Sequence, residues 1–185
     1  VKVHKPGPGT QYVAPNGNDA NNGSSGSRKR TVQAAINALG AGGGIVYVAD
    51  GSYNFGGLSR SNGNNNAWVL VKAENRWGVK STGFSLSGSY LGVYGIEVAG
   101  SDISYSNGAY LATWRCYVHD HQAGMGIGGA GNLSHLSNVS CCFNVVHTTS
   151  RDNVWATSNI SFYHFTNAIG PQNHDWVNGD DNLVL

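Results

Sequence analysis

Several side chains in the second half of this 185-residue sequence have the types and spacing for chemistry. His119 and His147 sit in matching contexts, Tyr117-Val118-His119-Asp120 and Val145-Val146-His147-Thr148. If equivalent segments stack, two imidazoles share a face about 4.8 Å apart, as an acid-base site or a metal pair requires. Polar ladders of that kind are more often merely exposed or hydrogen-bonded. Arg151-Asp152 follows the His147 segment in a loop, open to a long substrate; a surface turn with a local ion pair is the commoner use. Asp180 and Asp181 supply adjacent carboxylates. On a straight strand they face opposite ways, so a turn with solvated acids is the simpler expectation. Trp155 offers a ring face to a sugar, unless it is core, and Arg115 offers a cation to an acidic group.

The elements that must position these groups repeat. Leu91, Leu111, Val139 and Val177 align, as do Val98, Val118, Val146 and Val184, at offsets of 20, 28 and 38 residues by subtraction of the latter four numbers. Within each segment apolar residues alternate over three or four positions, so one face of a short strand is buried. A single segment cannot bury that face alone, whereas stacked segments pair strand on strand and build a continuous core. The pattern predicts an all-β fold, a parallel β-helix, with Asn144 over Asn182 as an amide ladder at one bend. A sandwich would not hold each position from segment to segment.

Composition narrows the function classes. Charged residues make up 11%, against about 25% in an ordinary domain. A net charge of +1 gives no electrostatic reason to expect nucleic acid. Arg28-Lys29-Arg30 reads as a solvated loop. No apolar run approaches the roughly 18 residues of a membrane span. Of three cysteines, Cys141 is expected in the interior, and a Cys116 to Cys142 bridge stays open.

In chain order, residues 1–10 read as a Pro/Gly arm and 11–185 as one β-helix domain. Gln11 to Pro15 is a short strand and Asn16 to Ser27 a polar loop. Thr31 N-caps a helix whose Val32, Ala35, Ile36 and Leu39 form one apolar stripe, closed by Gly40; it covers the open end of the stack. Coils begin at about residue 44 with Ile45-Val46-Tyr47-Val48. Arg60 to Asn66 is expected as a loop tip, and Trp68 to Ala73 as the next strand. Gly124 to Gly129 fits a nucleotide-loop pattern literally, but without the strand and helix that such a loop joins.

With these segments in place, the chain resembles secreted right-handed parallel β-helix proteins of the pectate-lyase-like superfamily. The resemblance rests on Gln11-Tyr12-Val13-Ala14-Pro15-Asn16-Gly17-Asn18-Asp19, the helix Thr31 to Leu39, Ile45 to Tyr53, Val71-Lys72-Ala73-Glu74-Asn75 and Cys116-Tyr117-Val118-His119-Asp120. It implies right-handed winding and an extracellular, carbohydrate-active protein, lyase-like or hydrolase-like, acting on acidic polysaccharide. A calcium-assisted lyase would hold the metal with acids such as Asp180 and Asp181, and take the substrate proton with a base near Arg151, Asp152, His119 and His147. Asn178-Gly179-Asp180-Asp181 is also similar to the Asp-Asp step of β-helix polygalacturonases, whose inverting chemistry wants carboxyls roughly 6.5 to 9.5 Å apart. Two non-catalytic readings stand beside the enzyme. One is a carbohydrate-binding or adhesin module. The other is a filament whose protomers stack head to tail, since the last segment, Asn182 to Leu185, stops in mid-coil as in a fragment or an open, self-associating end.

Overall fold

The computed structural model describes residues 5–64 and 66–120 throughout. Beyond them it describes the backbone of His121 and of strands 127–129, 136–137, 139–142, 145–148, 154–157, 160–163, 166–168, 175–178 and 183–184. The fold is mostly β, built of parallel sheets with one short α-helix.

Strand pairing follows three ladders. The first runs through Gly56–Arg60, residues 84–88, residues 103–105, Ile127–Gly129, Val154–Thr157 and Asp175–Asn178. The second runs through Gly9–Val13, Gly44–Val48, Val69–Ala73, residues 91–94, residues 111–114, Val139–Cys142, Ile160–Tyr163 and Leu183–Val184. The third joins Gly51–Tyr53, Val79–Ser81, Glu97–Ala99, Tyr117–His121, Val145–Thr148 and Thr166–Ala168. From residue 84 onward the chain visits first, second and third ladder in that order, again and again.

The alternation expected from the sequence sets which face is buried. In Val69–Ala73 the residues Val69, Val71 and Ala73 point inward, while Leu70 and Lys72 are half-buried on the other side. Successive strands then place Val46, Val71, Val93 and Thr113 in one column. Thr113 is the polar member of that column, and its hydroxyl is paired with the Tyr105 hydroxyl at 2.8 Å inside the core. A buried hydroxyl without such a partner would cost a few kcal/mol.

Val98, Val118 and Val146 do occupy one column of the third ladder. The fourth member does not: Val184 pairs with Phe162 in the second ladder, and Val177 pairs with Ala156 in the first. The residue that follows Val146 is Asn167, an offset of 21 by subtraction. The 38-residue interval therefore conceals an extra visit, in which Asn167 takes the position in register with Val146. Asn144, Asn182, Asp180, Asp181 and Leu185 lie outside the described residues.

The helix spans Val32–Leu39, with the Thr31 side chain accepting from the Ala34 N–H. Asp19 reinforces this start, accepting from the Arg30 N–H, the Thr31 N–H and the Thr31 hydroxyl at 2.8–2.9 Å. Partial desolvation works to raise its carboxyl, but the three donors and the nearby Lys29 charge outweigh it and hold the group below the usual value. Val32, Ala35 and Ile36 join the same core as Val13, Val46 and Leu58, so the helix covers the first strands.

Three segments differ from expectation. Residues 5–10 are tied down: the Lys5 carbonyl accepts from the Trp68 N–H, Gly7 donates to the Trp68 carbonyl, and Gly9 and Thr10 begin a strand. The basic cluster is not a solvated face. Lys29 is buried and donates to the Asp19 and Asn21 carbonyls, while Arg28 pairs with Glu74 at 2.9 Å. Arg60 is no loop tip either. It ends the strand Gly56–Arg60, is 3% exposed, and donates to the carbonyls of Gly40, Ala41, Ala67 and Tyr90. Burial lowers its pKa from the ordinary arginine value.

Tyr53 carries a pH dependence. Its hydroxyl donates to the Ala49 carbonyl at 2.7 Å, and burial pushes the phenol up to about 12. A raised folded-state pKa means stability that is whole below pH 10 and is lost as pH rises toward 12. Denaturant titrations above pH 10 should show a fall in wild-type stability that is smaller in Tyr53→Phe, which has no phenolic proton to lose.

Candidate functional site

The described part of the third ladder brings charged and aromatic groups together on its outer face. The residues that face outward there include Lys80, Glu97, Ala99, Tyr117 and His119, set by the pairings Lys80 with Glu97, Glu97 with Tyr117, and Ala99 with His119. Ala99 is small, which leaves room for the His119 ring to lean diagonally toward Glu97. His119 Nε2 lies 3.2 Å from Glu97 Oε1, and Lys80 Nζ lies 3.1 Å from the same oxygen.

On the other side His119 Nδ1 lies 2.9 Å from Asp120 Oδ2. Neighbours along a regular strand face opposite ways. Here Asp120 has φ 54° and the ladder slips register between His119 and His121, a bulge that returns the Asp120 carboxylate to the His119 side. With a proton on each nitrogen the ring donates to both carboxylates. With one proton it donates to one alone.

Aromatic rings continue the face. The His119 ring stacks on Tyr117 at 4.4 Å, and Tyr117 contacts Trp77 at 5.4 Å. Trp77 braces the bend between ladders: its N–H donates to the Gly95 carbonyl and its indole Nε1 to the Arg115 carbonyl. The Arg76 guanidinium lies 4.6 Å from the Trp77 ring centre. The face thus combines ring faces, a cation and paired carboxylates.

The expected site residues divide as follows. His119 stands at the centre, and His147 is in register with it on the next strand, so the two histidine positions share a column. Trp155 lies on the strand Val154–Thr157 of the first ladder, opposite Trp176 and away from the histidine ladder. Arg115 is exposed at the bend after Trp114, with φ 52°. Arg151, Asp152, Asp180 and Asp181 lie outside the described residues.

Sequence reasoning missed Glu97, Lys80 and Trp77. The register of Val98 with Val118 already put Glu97 beside Tyr117, so the signal existed; the diagonal reach across Ala99 did not show in it. No group of three or more His, Cys, Asp or Glu side chains able to hold a metal occurs among the described residues. Glu97 and Asp120 are drawn to His119 and Lys80, which is a poor fit for calcium.

No helix among the described residues is long and apolar enough to cross a membrane. No protein-family model matches this chain, and no curated protein does. Among solved structures the chain is similar to one described as rhamnogalacturonan lyase, with 15% identity and a TM-score of 0.59 over 95% of this chain and 61% of that one. The chain thus spans less than two thirds of the protein it matches, and at this identity the likeness is one of fold.

Proposed function

We propose that this chain is a right-handed parallel β-helix protein, secreted, that acts on acidic polysaccharide by a lyase-like elimination. The winding is supported by the fixed order in which the chain visits three parallel ladders. The activity is supported by one observation above all: His119, stacked on Tyr117, set between Glu97 and Asp120 with Lys80 beside them. Likeness in fold to a protein described as a rhamnogalacturonan lyase agrees with that substrate class.

Elimination removes the proton α to a uronate carboxylate and expels the glycosidic oxygen across the neighbouring bond, leaving a carbon–carbon double bond. His119 held between carboxylates is the acid that protonates the leaving oxygen, and His147, in the same column, is the base. Lys80 and Arg115 offer charge to the substrate carboxylate.

The test is incubation of the purified chain with pectate, rhamnogalacturonan and alginate, followed by ultraviolet absorbance of the unsaturated product. Wild type should generate product, and His119→Ala should slow it by about 10²-fold or more. A folded wild-type chain that yields nothing from all three would overturn the proposal. A second reading, binding without turnover, is favoured by the mutual pairing of the four charged groups and expects retention of polysaccharide unchanged.

A further inference from the structure

The outer face of the second ladder carries a column that the site above does not use. Register places Tyr12, Tyr47, Lys72, Tyr94 and Trp114 on successive strands, spaced about 4.8 Å apart. Tyr12 and Tyr47 stack at 5.4 Å with planes 22° apart, so their ring faces are turned toward each other and their edges outward. Lys72 then takes the place of a ring. Its ammonium lies 5.7 Å from the Tyr47 ring centre and 5.9 Å from that of Tyr94. Arg28 closes the near end, 5.5 Å from the Tyr12 ring centre.

Two features of this column exceed what packing needs. Lys72 has no carboxylate within ion-pairing distance among the described residues. The Tyr12, Tyr47 and Tyr94 hydroxyls make no hydrogen bond to other described side chains or backbone, unlike Tyr53 or Tyr105. A row of phenol hydroxyls interrupted by an unpaired ammonium presents donors and positive charge along a line, one position per strand. At its Arg28 end the column meets a cleft of about 540 Å³ whose polar lining includes Asn16, Asn21, Arg28 and Asp50.

We infer that this column is a second binding track, for a linear glycan bearing carboxylates, in which the tyrosine hydroxyls meet sugar hydroxyls and Lys72 meets an acidic group. The track lies on a different sheet from His119 and serves to hold a long chain. The inference deepens the proposed function and rests on its substrate class. A neutral glycan would leave the Lys72 charge unanswered, and a stack built only for stability would have no use for an ammonium in place of a further ring.

The experiment is affinity electrophoresis of the whole chain in gels containing polygalacturonate or, as a neutral control, dextran. Wild type should be slowed by polygalacturonate and not by dextran, with the retardation weakened by salt. Lys72→Gln should weaken the apparent affinity about tenfold, and Tyr94→Leu should do so independently, each with unchanged circular dichroism. Both should leave turnover of short oligosaccharides as it was. His119→Ala should behave oppositely, losing turnover while retaining the gel interaction. Equal retardation of wild type and Lys72→Gln, equal retardation in dextran, or none at all would overturn the track. Retardation that depends on Lys72 in a chain without turnover would sink the lyase reading and leave the track standing.

Discussion

Arg60→Ala should lower the unfolding free energy by about 3 kcal/mol or more, read as a shift of the urea midpoint at unchanged slope. The guanidinium satisfies four carbonyls that no other described side chain reaches: Gly40 and Ala41 at the helix end, Ala67 before the strand Val69–Ala73, and Tyr90 at the bend before Leu91. Among the described residues it has no carboxylate partner, and dipoles compensate its desolvation. Truncation removes that desolvation cost, which limits the loss, but it also opens a hole and takes the side-chain donor from the buried Ala67 carbonyl at about 1–3 kcal/mol. Arg60→Lys should fall between, since an ammonium donates to fewer of the four. A midpoint for Arg60→Ala equal to wild type would mean that water replaces the side chain at no cost.

Gly88→Ala should be more damaging, by more than about 4 kcal/mol, and should show as a loss of soluble folded protein. Gly88 has φ +84°, and a Cβ there would lie 2.0 Å from the Arg60 carbonyl oxygen and within 3 Å of two further Arg60 backbone atoms. Arg60, Gly88 and Gly108 form one column at the bend of the first ladder. Backbone cannot retreat there without breaking the pairing of Gly56–Arg60 with its neighbour. A side chain therefore meets conformational cost and collision together, whereas an exposed turn glycine would meet only the first.

A different bend, between the second and third ladders, shows how much of the fold the sequence carries. The apolar columns were legible because the turn between second and third ladder is short and of one length in the aligned segments, as in Tyr94-Gly95-Ile96-Glu97 and Trp114-Arg115-Cys116-Tyr117. Val98, Val118 and Val146 could therefore be aligned by eye. The visit at Thr166–Ala168 was not legible, because a polar residue type, Asn167, stands in register with Val146 where the pattern demanded an apolar one. Arg60 and Lys29 were read as exposed because their types usually are; only tertiary packing supplies the carbonyls that hold them. At the candidate site, His119 and its column with His147 followed from the repeat, while Asp120 joining from the neighbouring position required a bulge that no pattern announces.

Parallel ladders with this register also fix how the molecule would answer a mechanical load. A pull applied across the strands, along the direction in which they succeed one another, stresses the hydrogen bonds of one strand pair before the next feels any tension. Extension should then proceed by unzipping in small steps. Each step would release the roughly 20 residues that separate Val98 from Val118 or Val146 from Asn167. A pull along the strands would instead shear many bonds at once and require a far larger force.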